Sequence, residues 1–282
     1  MRPAMVEYDV PVGELSLSVR DHAGEPPPVV AMHGLASNAR WWDLVAPLLA
    51  PRRLVAVDLR GHGRSSRPES GYDFDSVAGD VHAVADALDL GPRVAMGHSW
   101  GASVALCWAA ADPLVRAVVC VDGGVGDVRG FFGSTWDEAS VAMRPPELRG
   151  IPESTLGDWV VRSGLAGDGD PAEAARILRG NFEESPGGGL QPRLAVDRHM
   201  QIAYELYHLD GAALFARVRV PVLFVLAQRG VHDARAAAVS SVLAALPAGS
   251  GVRWIEGLHD LPVQRPREVA AATTEFLSAL GV

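Results

Sequence analysis

The feature that most constrains this chain is a set of short apolar runs, spaced at regular intervals and lacking polar alternation. "PPVVAMHG" (27–34), "RRLVAVDLRG" (52–61), "PRVAMGHS" (92–99) and "RAVVCVDGG" (116–124) are built on Val, Ala, Leu and Met. A half-buried strand alternates; a short run that does not is a strand covered on both faces. Between the runs, "ARWWDLVAPLLA" (39–50), "FDSVAGDVHAVADALDL" (74–90) and "SWGASVALCWAAAD" (99–112) read as helices. Buried strand alternating with helix predicts an α/β fold with a mostly parallel, doubly wound sheet. In such a sheet ligands bind outside the carboxyl ends of the strands.

Near residue 124 the alternation stops. Residues 125–215 hold glycine-rich breaks, "SGLAGDGDP" and "ESPGGGLQP", and helical segments such as "PAEAARILRG". The pattern then returns with "VRVPVLFVLA" (218–227), a helix (234–246), the strand "GVRWIEG" (251–257) and a last helix (266–280). The expected organisation is an α/β core in two parts, 1–124 and 216–282, interrupted by a helical insertion at 125–215. "PGGG" (186–189) reads as a mobile loop.

Composition narrows the partners. A net charge of -9 argues against nucleic acid and against anionic membrane surfaces. All 25 basic residues are arginine. Arg40, Arg129 and Arg144 stand isolated, and no fixed cationic cluster for a phosphorylated or coenzyme A substrate is visible. Cys107 and Cys120 sit in apolar runs and read as reduced, buried thiols; no metal-ligand spacing occurs, so neither metal nor cofactor is called for. The N-terminal stretch lacks the apolar core of a signal peptide, and every apolar run falls short of the ~20 residues that span a bilayer. Membrane insertion is not expected, and the expected location is cytoplasmic.

Polar residues gather where the buried strands end: His33-Gly34-Leu35, Gly97-His98-Ser99-Trp100-Gly101, Asp122-Gly123-Gly124 and Gly257-Leu258-His259-Asp260. A bare Gly-x-Ser-x-Gly is a weak signal in a glycine-rich chain. This one lies between a buried strand and a helix. A sharp strand-to-helix turn forces strained angles on Ser99 and demands small neighbours two residues away. It exposes the hydroxyl above the sheet and aims the Trp100 N–H, at a helix N-terminus, at the reacting centre.

With these motifs in this order, "HGLASN" (33–38), "DLRGHGRS" (58–65), "GHSWGA" (97–102) and "GLHD" (257–260), the chain resembles the α/β-hydrolase superfamily over nearly its whole length. The resemblance implies an α/β-hydrolase fold with residues 125–215 as a helical cap, Ser99 as nucleophile and His259 as base. It implies Leu35 and Trp100 as oxyanion donors. A serine at the turn, where dehalogenases and epoxide hydrolases carry aspartate, places the chain with the esterase-like branch. The third member of the triad is open. The usual position, 230, is glycine. Asp122, after the strand that follows the nucleophile helix, matches the superfamily's second acid position, and Asp233 is the alternative; a dyad without an acid is a third.

The expected activity is hydrolysis of carboxylic esters of small to medium apolar acyl groups by a Ser99–His259–Asp122 triad, without a cofactor. The partner is then a small apolar ester or thioester. Thioesterase, lactonase and acyltransferase chemistry use the same residues. A non-hydrolytic binding protein and a cofactor-free oxygenase or perhydrolase are the rivals from other classes. The large side chains of the insertion, among them Phe131, Trp136, Phe182, Tyr207 and Phe215, are expected to pack its interior and line a partly closed pocket.

Overall fold

A computed structural model describes residues 5–126, 128–228 and 233–282, with side chains for all of these except 233–235. Eight strands form one sheet: β1 (Met5–Val12), β2 (Leu15–His22), β3 (Glu25–Met32), β4 (Arg52–Val57), β5 (Arg93–His98), β6 (Val115–Val121), β9 (Val222–Ala227) and β10 (Gly251–Ile255). Two more strands, β7 (Phe182–Glu184) and β8 (Leu190–Pro192), pair as a separate hairpin. The main sheet runs in the order β1-β2-β4-β3-β5-β6-β9-β10. β1, β2 and β4 pair antiparallel, and every other neighbouring pair is parallel.

The unalternated runs are covered on both faces. Val30, Met32, Val55 and Val57 face one hydrophobic cluster, together with side chains of α1 (Phe74–Ala87) and α2 (Trp100–Ala111). Their neighbours Val29, Ala31, Leu54 and Ala56 face the other, with Trp41 and Trp42. The C-terminal helix Pro266–Leu280 packs on that second face through Val269, Phe276 and Leu277. Alternate residues of one strand thus enter two different cores, and both sets must be apolar.

Three local expectations change. Residues 39–50 form two short 3₁₀ turns, Ala39–Trp42 and Ala46–Leu48, in place of a helix. Pro47 lacks the N–H that an α-helical turn would use. The hairpin β1–β2 is not among the expected strands; β1 is the mostly exposed edge strand, and in β2 Leu17, Ser18, Val19 and Arg20 are all buried although polar and apolar residues are mixed. The insertion is not wholly helical. Its helices, α3 (Arg129–Phe132), α4 (Trp136–Ala142), α5 (Ser154–Ser163), α6 (Pro171–Arg179), α7 (Val196–His208) and α8 (Gly211–Phe215), are joined by the β7–β8 hairpin. "PGGG" makes the turn of that hairpin, with the Ser185 N–H donating to the Gly189 carbonyl at 2.8 Å. Phe182, Tyr207 and Phe215 are buried, whereas Phe131 is 75% exposed and belongs to no interior.

The strand order positions the site. From β3 the chain passes to β4 on one side, and β5 lies on the other, so the sequence order reverses between β3 and β5. The loops leaving the carboxyl ends of these two strands diverge and open a crevice there. His33-Gly34-Leu35 leaves β3 and Ser99 leaves β5, on either side of that crevice.

Candidate active site

Ser99 stands between β5 and α2 with φ 54° and ψ −121°, a conformation that costs a non-glycine residue about 1–3 kcal/mol. The surroundings hold it there. Its N–H donates to the Val121 carbonyl at 2.9 Å, and its own carbonyl accepts from Ala102 N at 3.0 Å. Three glycines make the turn possible. A Cβ at Gly97 would stand 2.1 Å from the Gly101 carbonyl oxygen, one at Gly101 2.4 Å from that of His33, and one at Gly123 2.2 Å from that of Ser99.

The Ser99 hydroxyl lies 2.9 Å from Nε2 of His259. Nδ1 of the same ring lies 2.7 Å from Oδ2 of Asp122. Because Asp122 accepts at Nδ1, the proton of the neutral ring sits there and Nε2 is left to accept from the serine. Asp122 is buried, with φ 39°, and its Oδ1 accepts from Ala227 N at 3.0 Å. Position 230 lies outside the described residues, as does the side chain of Asp233.

Two backbone N–H groups on the segments that flank the crevice, those of Leu35 and Trp100, are the expected oxyanion donors. Trp100 is the first residue of α2, so its N–H has no partner within the helix. Leu35 N donates to no acceptor among the described residues. Gly34, just before it, lies against Ser99: a Cβ there would be 3.1 Å from the serine Cβ.

Three further histidines brace this geometry. His33 Nε2 accepts from Leu59 N at 3.1 Å, so its Nδ1–H donates to the Gly34 carbonyl at 2.7 Å. His62 accepts from Ala36 N at 3.1 Å and donates through Nδ1 to the Arg60 carbonyl at 2.9 Å. Together they pin both sides of Leu35. His98 donates through Nε2 to the backbone carbonyl of His259 at 2.9 Å, while its buried Nδ1 makes no hydrogen bond. Burial pushes the pKa of His33 down and that of His62 well down; that of His98 falls to about 3, so all three are neutral near pH 7. Gln264 holds the same loop from the other side, accepting from Leu258 N at 2.7 Å and donating to the Gly164 carbonyl of the insertion at 2.6 Å. The sequence motifs name His33 and His98 only as flanking residues and do not reveal Gln264. Their partners lie too far away in the chain.

No group of three His, Cys, Asp or Glu side chains among the described residues could hold a metal ion. None of the helices described is long and apolar enough to cross a membrane.

Comparison with known proteins shows the family. A profile described as the alpha/beta hydrolase fold matches residues 27–152. A 2-(acetamidomethylene)succinate hydrolase of Mesorhizobium japonicum is 33% identical over 222 residues, covering 77% of this chain and 75% of the relative. This chain belongs to the alpha/beta hydrolase family. A crystal structure of E-2-(acetamidomethylene)succinate hydrolase superposes on 98% of this alpha/beta hydrolase and 100% of its own chain, at a TM-score of 0.80 and 26% identity. The thioesterase domain from the curacin biosynthetic pathway shares the fold, with a TM-score of 0.77 over 95% of this chain and 98% of its own, at 18% identity.

Proposed function

We propose that this alpha/beta hydrolase is a serine hydrolase that transfers an acyl group to water through an acyl-enzyme on Ser99. The hydrogen-bonded line from Ser99 through His259 to Asp122, at 2.9 and 2.7 Å, is the observation that carries this reading. Ser99 Oγ attacks the substrate carbonyl as His259 Nε2 takes its proton. The charge that develops on the carbonyl oxygen is held by the N–H groups of Leu35 and Trp100. His259 returns the proton to the leaving group. Water, activated by the same imidazole, then releases the acid. Asp122 keeps the ring in the useful tautomer and stabilises its charged form.

The substrate proposed first is a carboxylic ester of a small to medium apolar acyl group. A second reading, cleavage of an acetamide, is favoured by the relative in Mesorhizobium, whose name describes an acetamide-bearing succinate. One experiment addresses both. A fluorophosphonate should label the protein at Ser99, and Ser99→Ala should abolish labelling and lower kcat by several orders of magnitude with the fold intact. A panel of acetate esters, thioesters and acetamides then ranks the leaving groups by kcat/KM. Hydrolysis at an undiminished rate in the Ser99→Ala protein would overturn the proposal.

A further inference from the structure

We infer that the seam between the insertion and the core holds a second ligand site, for a phosphate monoester group, separate from Ser99. A cavity of about 360 Å³ opens there. Six guanidinium groups line it: Arg20, Arg40 and Arg64 from the core, and Arg176, Arg179 and Arg193 from the insertion. The sequence shows Arg40 as an isolated residue and no cationic cluster; the fold corrects this, because it gathers six arginines scattered over more than 170 positions.

The pairing of these groups is unequal. Arg176 is matched by Glu173 and Asp43, and Arg179 by Glu153. Arg20, Arg40 and Arg64 share the single carboxylate of Glu7, and only Arg20 has a second partner, Asp43. Asp58, the other carboxylate of the lining, accepts from the backbone N–H groups of Ala39 and Arg64. Arg193 donates to the Phe182 carbonyl and stands 3.7 Å from Glu183, which already pairs with Arg67 at 2.7 Å. With Asp58 included, about one net positive charge, spread over Arg40, Arg64 and Arg193, remains at the cavity wall. Burial and the neighbouring charges of Arg67 and Arg179 hold the Arg193 guanidinium below its ordinary range; Glu183 and Asp58 oppose them without cancelling the effect.

A phosphoryl anion would take up that surplus. Guanidinium forks arriving from several directions suit a tetrahedral phosphoryl group, whose oxygens each accept in a different direction. The cavity wall includes neither Ser99 nor His259. Arg20 lies on β2 and Asp58 just beyond β4, two or more strands from β5, which at about 4.8 Å per strand is roughly 10 Å or more. Bound there, the ligand would bridge insertion and core.

The test is calorimetric titration of the full chain with inorganic phosphate at low ionic strength and pH 7.5, with succinate as comparator. Phosphate should bind saturably at one site, and R40Q/R193Q should weaken binding at least roughly tenfold. Phenylglyoxal footprinting of the unaltered protein gives a reading that does not depend on the variant folding. Phosphate should slow modification of Arg40, Arg64 and Arg193 and leave the distant, exposed Arg253 unaffected. Absence of saturable phosphate binding overturns the inference, and so does binding that neither protects these arginines nor responds to R40Q/R193Q. Succinate binding as tightly as phosphate overturns the phosphoryl assignment. None of these outcomes bears on Ser99.

Discussion

His98 joins the parts of the candidate active site that the chain keeps furthest apart. It precedes Ser99, lies against Gly34 in the loop after β3, and donates to the backbone of a residue 161 positions away. If its role is to hold the His259 loop, His98→Ala should lower kcat roughly tenfold to a hundredfold, the value of a buried hydrogen bond, with little change in KM. His98→Gln, whose amide can reach the same carbonyl, should recover part of the loss. Equal loss in both variants would point to packing instead of positioning. The contrast with Ser99, His259 and Asp122 is instructive. Ser99 and His259 stand out in the sequence because each sits in a local motif, a glycine-flanked turn and a Gly-Leu-His-Asp loop, whereas Asp122 only ends a strand and the sequence leaves it open against Asp233. The bond from His98 to a main-chain carbonyl leaves no residue-type signature at its far end.

The element that tolerates least change is the turn from β5 into α2. Gly101 lets the first turn of α2 pass directly over the end of β3, where a methyl group would meet the carbonyl oxygens of His33 at 2.4 Å and Met32 at 2.6 Å. Both obstacles are backbone atoms and cannot swing away. Gly101→Ala should therefore lower stability by about 3 kcal/mol or more, measured as a shift of the denaturant midpoint, although alanine is the better helix former. A gain in stability would mean that α2 can move off the sheet. At this scale the doubly covered strands are readable from their unbroken apolar runs. β1 and β2 are less so, because Ser18 and Arg20 interrupt the apolar run of β2 although the fold buries them, and β1 is mostly exposed. The hairpin of the insertion escapes because strands of three residues carry too little pattern, and Pro47 divides a segment whose apolar spacing is otherwise helical.

Across the whole molecule, three buried neutral histidines tie stability to pH. His33, His62 and His98 all have folded-state pKa values below the unfolded value near 6.5, that of His98 about 3. Above pH 6.5 the groups are neutral in both states and contribute no pH dependence. As pH falls below 6.5 the unfolded chain takes up protons that the folded chain does not, so stability declines until the folded values are reached. Each histidine contributes a slope of up to about 1.4 kcal/mol per pH unit in that window. Denaturant midpoints should fall between pH 7.5 and pH 5, a range above the ordinary carboxylate values, and His98→Gln should make the fall shallower. A midpoint unchanged over that range would show that these rings protonate freely in the folded chain. The seam that collects six arginines is likewise a property of the whole, invisible in any one segment. The two sulfurs add a kinetic consequence. Cys107 lies in α2, which begins just after Ser99, and Cys120 lies two residues before Asp122. Burial raises the first thiol to about 12 and the second further. Only a thiolate reacts with an alkylating agent, so at pH 8 the closed protein should present almost no reactive sulfur. Iodoacetamide uptake at these two positions would then time how often the framework behind the serine comes apart, without any introduced label.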